Sequence, residues 1–293
     1  MSDAASSDTA ITAAPPNSAP GTPVRSNLGL LGSSNTLRLV AGLWVLWAVI
    51  LLGGTLLSES GRGTTIALLK DQILLIAHLG SSVLLAAAAW IWFLEFSRSP
   101  ASATVALLAV GMTLGVIGDF FNGGVLQDLI KLPDPVLGGI AAFALGHIAY
   151  ITACVRVARN RGYHDRGKRL GAIAFWQAFG IVAWFFVVYR GTNPGARLLV
   201  WPALPYSLLL AGTAGVATYL AIEDRRFCLL AAGAILFLIS DLVLAFRMFH
   251  GDFAMATHAV WLTYGPGQML IVYSIGIVGR GESGCLSAAI PSP

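Results

Sequence analysis

Charge is what this chain has least of. Asp, Glu, Lys and Arg make up 11% of its 293 residues, against about 25% in soluble domains. That shortage excludes an ordinary water-facing surface. Cysteine is scarce too: Cys154, Cys228 and Cys285 show no CxxC or ligand-like spacing, which excludes a disulfide scaffold and a thiolate metal cluster. The apolar runs lack sustained two-residue alternation, which argues against a barrel. There is no phosphate-binding glycine loop, no GxSxG and no HExxH. The modest formal charge of +4 does not point to nucleic acid, because the basic residues stand between apolar runs rather than on one soluble face.

What is present is hydrocarbon. Hydrophobic residues reach 56% and the mean hydropathy is +0.76, so the chain is expected to live in a bilayer. A span needs about 20 apolar residues. Candidate runs fall at 38–57, 66–94, 101–118, 136–155, 170–189, 198–222, 228–247 and 257–278. The expected fold is all-α, a polytopic bundle of about eight transmembrane helices. Residues 1–36, centred on "APPNSAPGTP", are expected to be a disordered tail, residues 37–279 the bundle, and residues 280–293 a short C-terminal tail.

Lys and Arg positions set the expected orientation. With the N-terminus inside, the inner segments hold most of the eighteen basic residues. The loop "RVARNRGYHDRGKR" alone supplies Arg156, Arg159, Arg161, Arg166, Lys168 and Arg169. Both termini are therefore expected in the cytoplasm. His164 and Asp165 read as part of that solvated loop.

A carboxylate at mid-membrane costs about 2.5–3.5 kcal/mol on lenient scales, so it needs a partner, a wet cavity or a task. Asp241 stands alone in "GAILFLISDLVLAF". Asp119 ends the third run in "GVIGDFFNGG", and His147 lies in the fourth. Tyr264 and Gln268 share the eighth. At 1.5 Å per residue, all five fall in one half of the membrane or at its midplane. Phe143, His147 and Tyr150 share a helical face, as do Trp261, Tyr264 and Gln268 and, if the helix continues, Asp119 and Asn122. Nearby glycines permit close helix approach. The expected feature is a polar pocket inside the bundle.

In this order the motifs "GVIGDFF", "GGIAAFALGHIAYI", "GAILFLISDLVLAF" and "TYGPGQMLIVYS" resemble the lysoplasmalogenase-like (YhhN) membrane family. The matching positions are Gly118–Asp119, Phe143–His147–Tyr150, Ser240–Asp241 and Tyr264–Gln268, and Leu204–Pro205–Tyr206 is similar as well. Where that family opens its second span with Lys-Pro, this chain has Lys70–Asp71. The resemblance implies eight spans and cleavage of the vinyl ether bond of a lysophospholipid, releasing a fatty aldehyde. The expected catalytic residues are Asp119, Asp241 and His147, with Tyr150, Tyr264, Gln268 and Asn122 binding substrate. Asp241, expected to be the more buried acid, would protonate the ether. Asp119, expected nearer water, would stabilise the cation and activate water. Arg190 and Arg197, at the mouth, read first as topology or surface charges and only second as partners for a lipid phosphate.

No cofactor or metal is expected. His78, His147, Asp119 and Asp241 include enough donors for zinc, but no paired-histidine spacing occurs. The alternative reading is a proton-coupled transporter or lipid-binding membrane protein, since intramembrane acids serve those tasks too.

Overall fold

The computed structural model describes residues 34–60 and 64–287. Eight α-helices account for almost all of them: α1 (Ser34–Ser60), α2 (Thr64–Phe96), α3 (Ser102–Asn122), α4 (Pro135–Asn160), α5 (Arg166–Ala183), α6 (Val200–Glu223), α7 (Cys228–His250) and α8 (Ala256–Ser287). A π-helical turn, Trp184–Tyr189, continues α5. Short 3-10 turns, Pro194–Leu199 and Arg225–Phe227, lead into α6 and α7. The tail expected over 1–36 lies outside the described residues up to residue 33, and α1 already begins at Ser34. At the other end α8 runs on to Ser287, past the expected boundary at 280, with no proline to stop it before Pro291.

Among the described residues seven helices, α1 to α7, are long and apolar enough to cross a membrane, with their connecting turns included. The last helix is as long, but Tyr264, Pro266 and Gln268 dilute its apolar character. Large apolar side chains point outward all round, among them Val45, Ile76, Leu94, Phe175 and Trp201. A surface of that kind is at ease only when lipid is the solvent.

Local chemistry sets the helix starts. Asp134 caps α4 by accepting from the Val136 amide at 2.9 Å, with Pro135 as the first helical residue. Asp165 accepts from the Lys168 amide at 3.0 Å and starts α5. Side-chain oxygens here take up amides that the first turn leaves unpaired. The "GTNPG" connection is held down, since Asn193 Nδ2 donates to the Met248 carbonyl at 2.7 Å.

Neighbours in sequence pack as antiparallel pairs: α1 with α2, α3 with α4, α5 with α6, α7 with α8. Helix α8 also lies against α1, α2, α3 and α4, and α6 bridges α4 to α7. The α7–α8 crossing is close because both sides are glycine. A Cβ on Gly233 would come within 2.7 Å of the Gly267 carbonyl oxygen. Trp92, Phe237, Ile271 and Ile275 form the fully buried centre.

Candidate functional site

One face of α3 is stripped of side chains where α4 and α8 approach. A Cβ on Gly111 would fall 2.5 Å from the Tyr150 ring, and one on Gly118 would fall 2.5 Å from the Phe143 ring. A Cβ on Gly115 would crowd Gln268 Nε2 at 3.1 Å. These glycines therefore provide the room that the aromatic and amide side chains occupy.

In that space four side chains from three helices join in sequence. Tyr150 Oη donates to Gln268 Oε1 at 3.4 Å. Gln268 Nε2 donates to Tyr264 Oη at 3.0 Å, and Tyr264 Oη donates to Asp119 Oδ2 at 2.8 Å. The Ser82 side chain hydrogen-bonds Asp119 as well. Each donor points toward the carboxylate, and with the Gln268 amide oriented to suit this network the chain has a direction. Asp119, Tyr264 and Gln268 are all buried.

Asp241 is held differently. Tyr206 Oη, on α6, donates to its Oδ2. Ser240 Oγ lies 3.3 Å from its Oδ1, but that hydroxyl also makes a 2.7 Å bond to the Phe237 carbonyl. A hydroxyl has one proton to donate, and the shorter bond claims it.

Both carboxylates border one cavity of about 210 Å³, together with His78, Asn122, Trp261 and Arg247. Two smaller apolar clefts, of about 60 and 50 Å³, flank it, and Asp241 and Tyr206 line both. Asp241 thus stands where a polar chamber meets two hydrocarbon-lined clefts. At the chamber's rim Arg247 Nε pairs with Asp252 Oδ1 at 3.0 Å, and its Nη1 donates to Thr257 Oγ1 at 3.0 Å. His78 stacks on Trp261 with ring centres 4.0 Å apart.

The structure brings together Asp119, Tyr264, Gln268 and Tyr150 by hydrogen bonds. It adds Asp241 and Asn122 through the shared cavity, with α3 extending to Asn122. It does not bring His147 to that cavity. His147 is 2% exposed, and its Nδ1 lies 2.9 Å from Thr213 Oγ1. Thr213 commits its own proton to the Leu209 carbonyl, so His147 Nδ1 is the donor. The ring packs edge-on against Phe237 at 4.6 Å and against Tyr206 at 6.3 Å.

One expectation is reversed. Asp119, not Asp241, is the more buried acid: it is 6% exposed, whereas Asp241 is only half-buried. Depth along the membrane normal differs from enclosure, and Asp241 is opened by the clefts around it. Arg190 and Arg197 are exposed and border none of these three spaces. The rim cation is Arg247, which the sequence shows only as the last residue of the seventh apolar run, with no role attached. Tyr206 was visible as part of Leu204–Pro205–Tyr206, without a role. Among the described residues no three His, Cys, Asp or Glu side chains gather closely enough to hold a metal ion.

Compared with known proteins, residues 75–275 match a family model described as the YhhN family. No curated protein and no solved structure matches the chain.

Proposed function

The chain belongs to the YhhN family, whose model covers more than half of it, and from that premise we propose that it is a membrane lipid hydrolase cleaving the vinyl ether bond of a lysophospholipid. The observation that carries the reading is the chamber shared by Asp119 and Asp241, with Arg247 at its rim and apolar clefts beside it. An amphiphile with an anionic head and one hydrocarbon chain matches that division of polarity.

Vinyl ether hydrolysis starts with proton transfer to the β-carbon, which leaves an oxocarbenium ion. Water adds to the adjacent carbon and loses a proton, giving a hemiacetal. The hemiacetal collapses to fatty aldehyde and glycerophospho-alcohol, so one water is consumed and no net proton. Asp241 is the proton donor in this scheme, because it borders all three spaces and the Ser240 proton is taken by Phe237. Asp119 is the fixed negative charge and the acceptor of the water proton. The donor chain from Tyr150 through Gln268 and Tyr264 ends on it and orients it. Tyr206 orients Asp241, and Asn122 contacts substrate from the chamber wall. His147 acts from behind, by holding the Tyr206 and Phe237 rings in place.

In the same reading the protein sits in a bacterial plasma membrane with both termini cytoplasmic. The chamber, at the end where α3 and α7 finish and α4 and α8 begin, then opens toward the outside.

The test is aldehyde release from a lysoplasmalogen by purified protein in neutral detergent, with the saturated 1-alkyl ether analogue as control. Wild type should cleave the vinyl ether and leave the alkyl ether intact. Asp119→Asn and Asp241→Asn should each lose about 100-fold or more in kcat. Full activity in either folded variant removes the role given to that residue.

A further inference from the structure

A second cavity, of about 350 Å³, lies at the other end of the bundle, where α4 and α6 finish and α5 begins. Along α4 it is roughly 22 Å from the chamber, taking 1.5 Å per residue between Phe143 and Ala158. Its lining includes Arg159, Arg169, His164, Tyr163, Tyr219 and Cys154. Apolar side chains complete the wall, and one of them, Val155, is 52% exposed on the outer surface of the bundle.

Two features separate this cavity from a merely basic loop. The first is the distribution of ion pairs. The acids nearby are already engaged: Asp224 with Arg161 at 3.4 Å and Arg226 at 2.7 Å, Glu223 with Lys168 at 3.2 Å, and Asp165 with Lys168 at 3.5 Å. Among the described residues Arg159 and Arg169 make no such pair, and both line the cavity. The second is Tyr219. It is 2% exposed, yet its hydroxyl has no hydrogen-bond partner in the protein. Buried hydroxyls almost always find one, so a lining tyrosine left without a partner points to a ligand.

We propose that this cavity binds the phosphate group of an anionic lipid, held by Arg159 and Arg169 and reached by the Tyr219 hydroxyl. The cavity is large enough for a head group. Basic pockets between helix ends are where membrane proteins take up anionic lipids. Guanidinium forks suit phosphate oxygens geometrically. The exposed apolar wall at Val155 gives the acyl chains a surface to follow. The site is independent of the carboxylate chamber and of the reaction assigned to it.

The experiment uses full-length protein purified in neutral detergent. Phosphatidylglycerol is titrated in, and retained lipid is read by native mass spectrometry. Inorganic phosphate forms a second arm. Wild type should retain phosphatidylglycerol saturably, and Arg159→Gln/Arg169→Gln should weaken that binding about tenfold or more. Tyr219→Phe should weaken it several-fold without lowering the thermal midpoint in lipid-free detergent, since the lost hydroxyl had no protein partner. Arg166→Gln/Arg225→Gln removes two charges from the same end that do not line the cavity, and should leave binding unchanged. Equal binding by wild type and the Arg159/Arg169 variant would overturn the proposal. So would equal losses in the two double variants, which would mean a diffuse field. Inorganic phosphate that binds as tightly as the lipid, and is lost with Arg159 and Arg169, would overturn the lipid as the source and leave a soluble phosphate compound in its place.

Discussion

Tyr206 and Asp241 meet across α6 and α7, with the phenol hydroxyl donating to Oδ2 of the carboxyl group. Both residues line each of the two apolar clefts, so the pair forms the partition between them. Tyr206 follows Pro205, which stands inside α6 and loosens the hydrogen-bond ladder there. Removing the hydroxyl should leave the acid misplaced. Tyr206→Phe is expected to lower kcat about tenfold with little change in KM, measured by steady-state aldehyde release.

The donor chain to Asp119 predicts a stability effect apart from catalysis. Gln268→Leu keeps the bulk but removes one acceptor and one donor, leaving Tyr150 and Tyr264 each short of a partner in a buried space. The expected cost is about 1–3 kcal/mol, read as a lower thermal midpoint in detergent. Gln268→Glu keeps the acceptor for Tyr150 but loses the donor to Tyr264 and adds a second buried carboxyl group to the chain that ends on Asp119, so it should be no more stable than Gln268→Leu.

Arg247 is the cation of the chamber's rim. Arg247→Gln should raise KM for a phosphate-bearing substrate about tenfold and leave kcat nearly unchanged. Asp252→Asn removes its exposed partner and tests whether the ion pair matters in itself. Arg190→Gln and Arg197→Gln, at exposed positions that border none of the three spaces, should behave as wild type.

Glycine contacts give a steric test. Gly233→Ala forces a Cβ to within 2.7 Å of backbone on α8, and backbone cannot rotate away. Overpacking of this kind costs about 1–3 kcal/mol. The variant should unfold at lower temperature and lose activity in proportion to its folded fraction. Gly42→Ala, at a position with nothing within 4 Å, is the control.

A pH effect is expected outside the membrane-spanning segments. The Arg226 side chain hydrogen-bonds Asp224 and, with that residue's amide and charge and the Tyr163 hydroxyl, holds the carboxyl below the usual carboxylate range. The group is therefore more acidic folded than unfolded. Its contribution is fully present above the unfolded value and is lost as pH falls through the folded one. Asp224→Asn should flatten the acid limb of the stability profile, measured by thermal unfolding at stepped pH.

Much of this was legible from residue order alone. Helices long enough to span, and the set Asp119, Tyr264, Gln268 and Tyr150, follow from apolar run length and from i, i+4, i+7 spacing at matched depth. What spacing does not contain is the rotation of each helix about its axis. His147 shares a face with Phe143 and Tyr150 by count, yet it turns to Thr213 on α6 while Tyr150 turns to α3 and α8. The reversed burial of the two acids has a related cause. A residue near the end of a span can be sealed by neighbours, as Ser82 and Tyr264 seal Asp119. One at mid-span can open into a cleft, as Asp241 does. Arg247 was hidden because a basic residue at a helix end reads the same whether it faces water or a chamber.

The polar load on α8 also bears on how the protein is made. Tyr264, Pro266 and Gln268 make this helix a poor candidate to partition into lipid by itself, and it is the last of the eight to leave the ribosome. By then α1 to α7 have been synthesised, and the bare face of α3 and the glycine of α7 offer a slot of matching shape. In the folded protein α8 fills that slot, and its Tyr264 and Gln268 complete the donor chain to Asp119. A copy truncated before α8 should reach the membrane and expose an unfilled polar seam, the kind of surface that membrane quality-control proteases recognise.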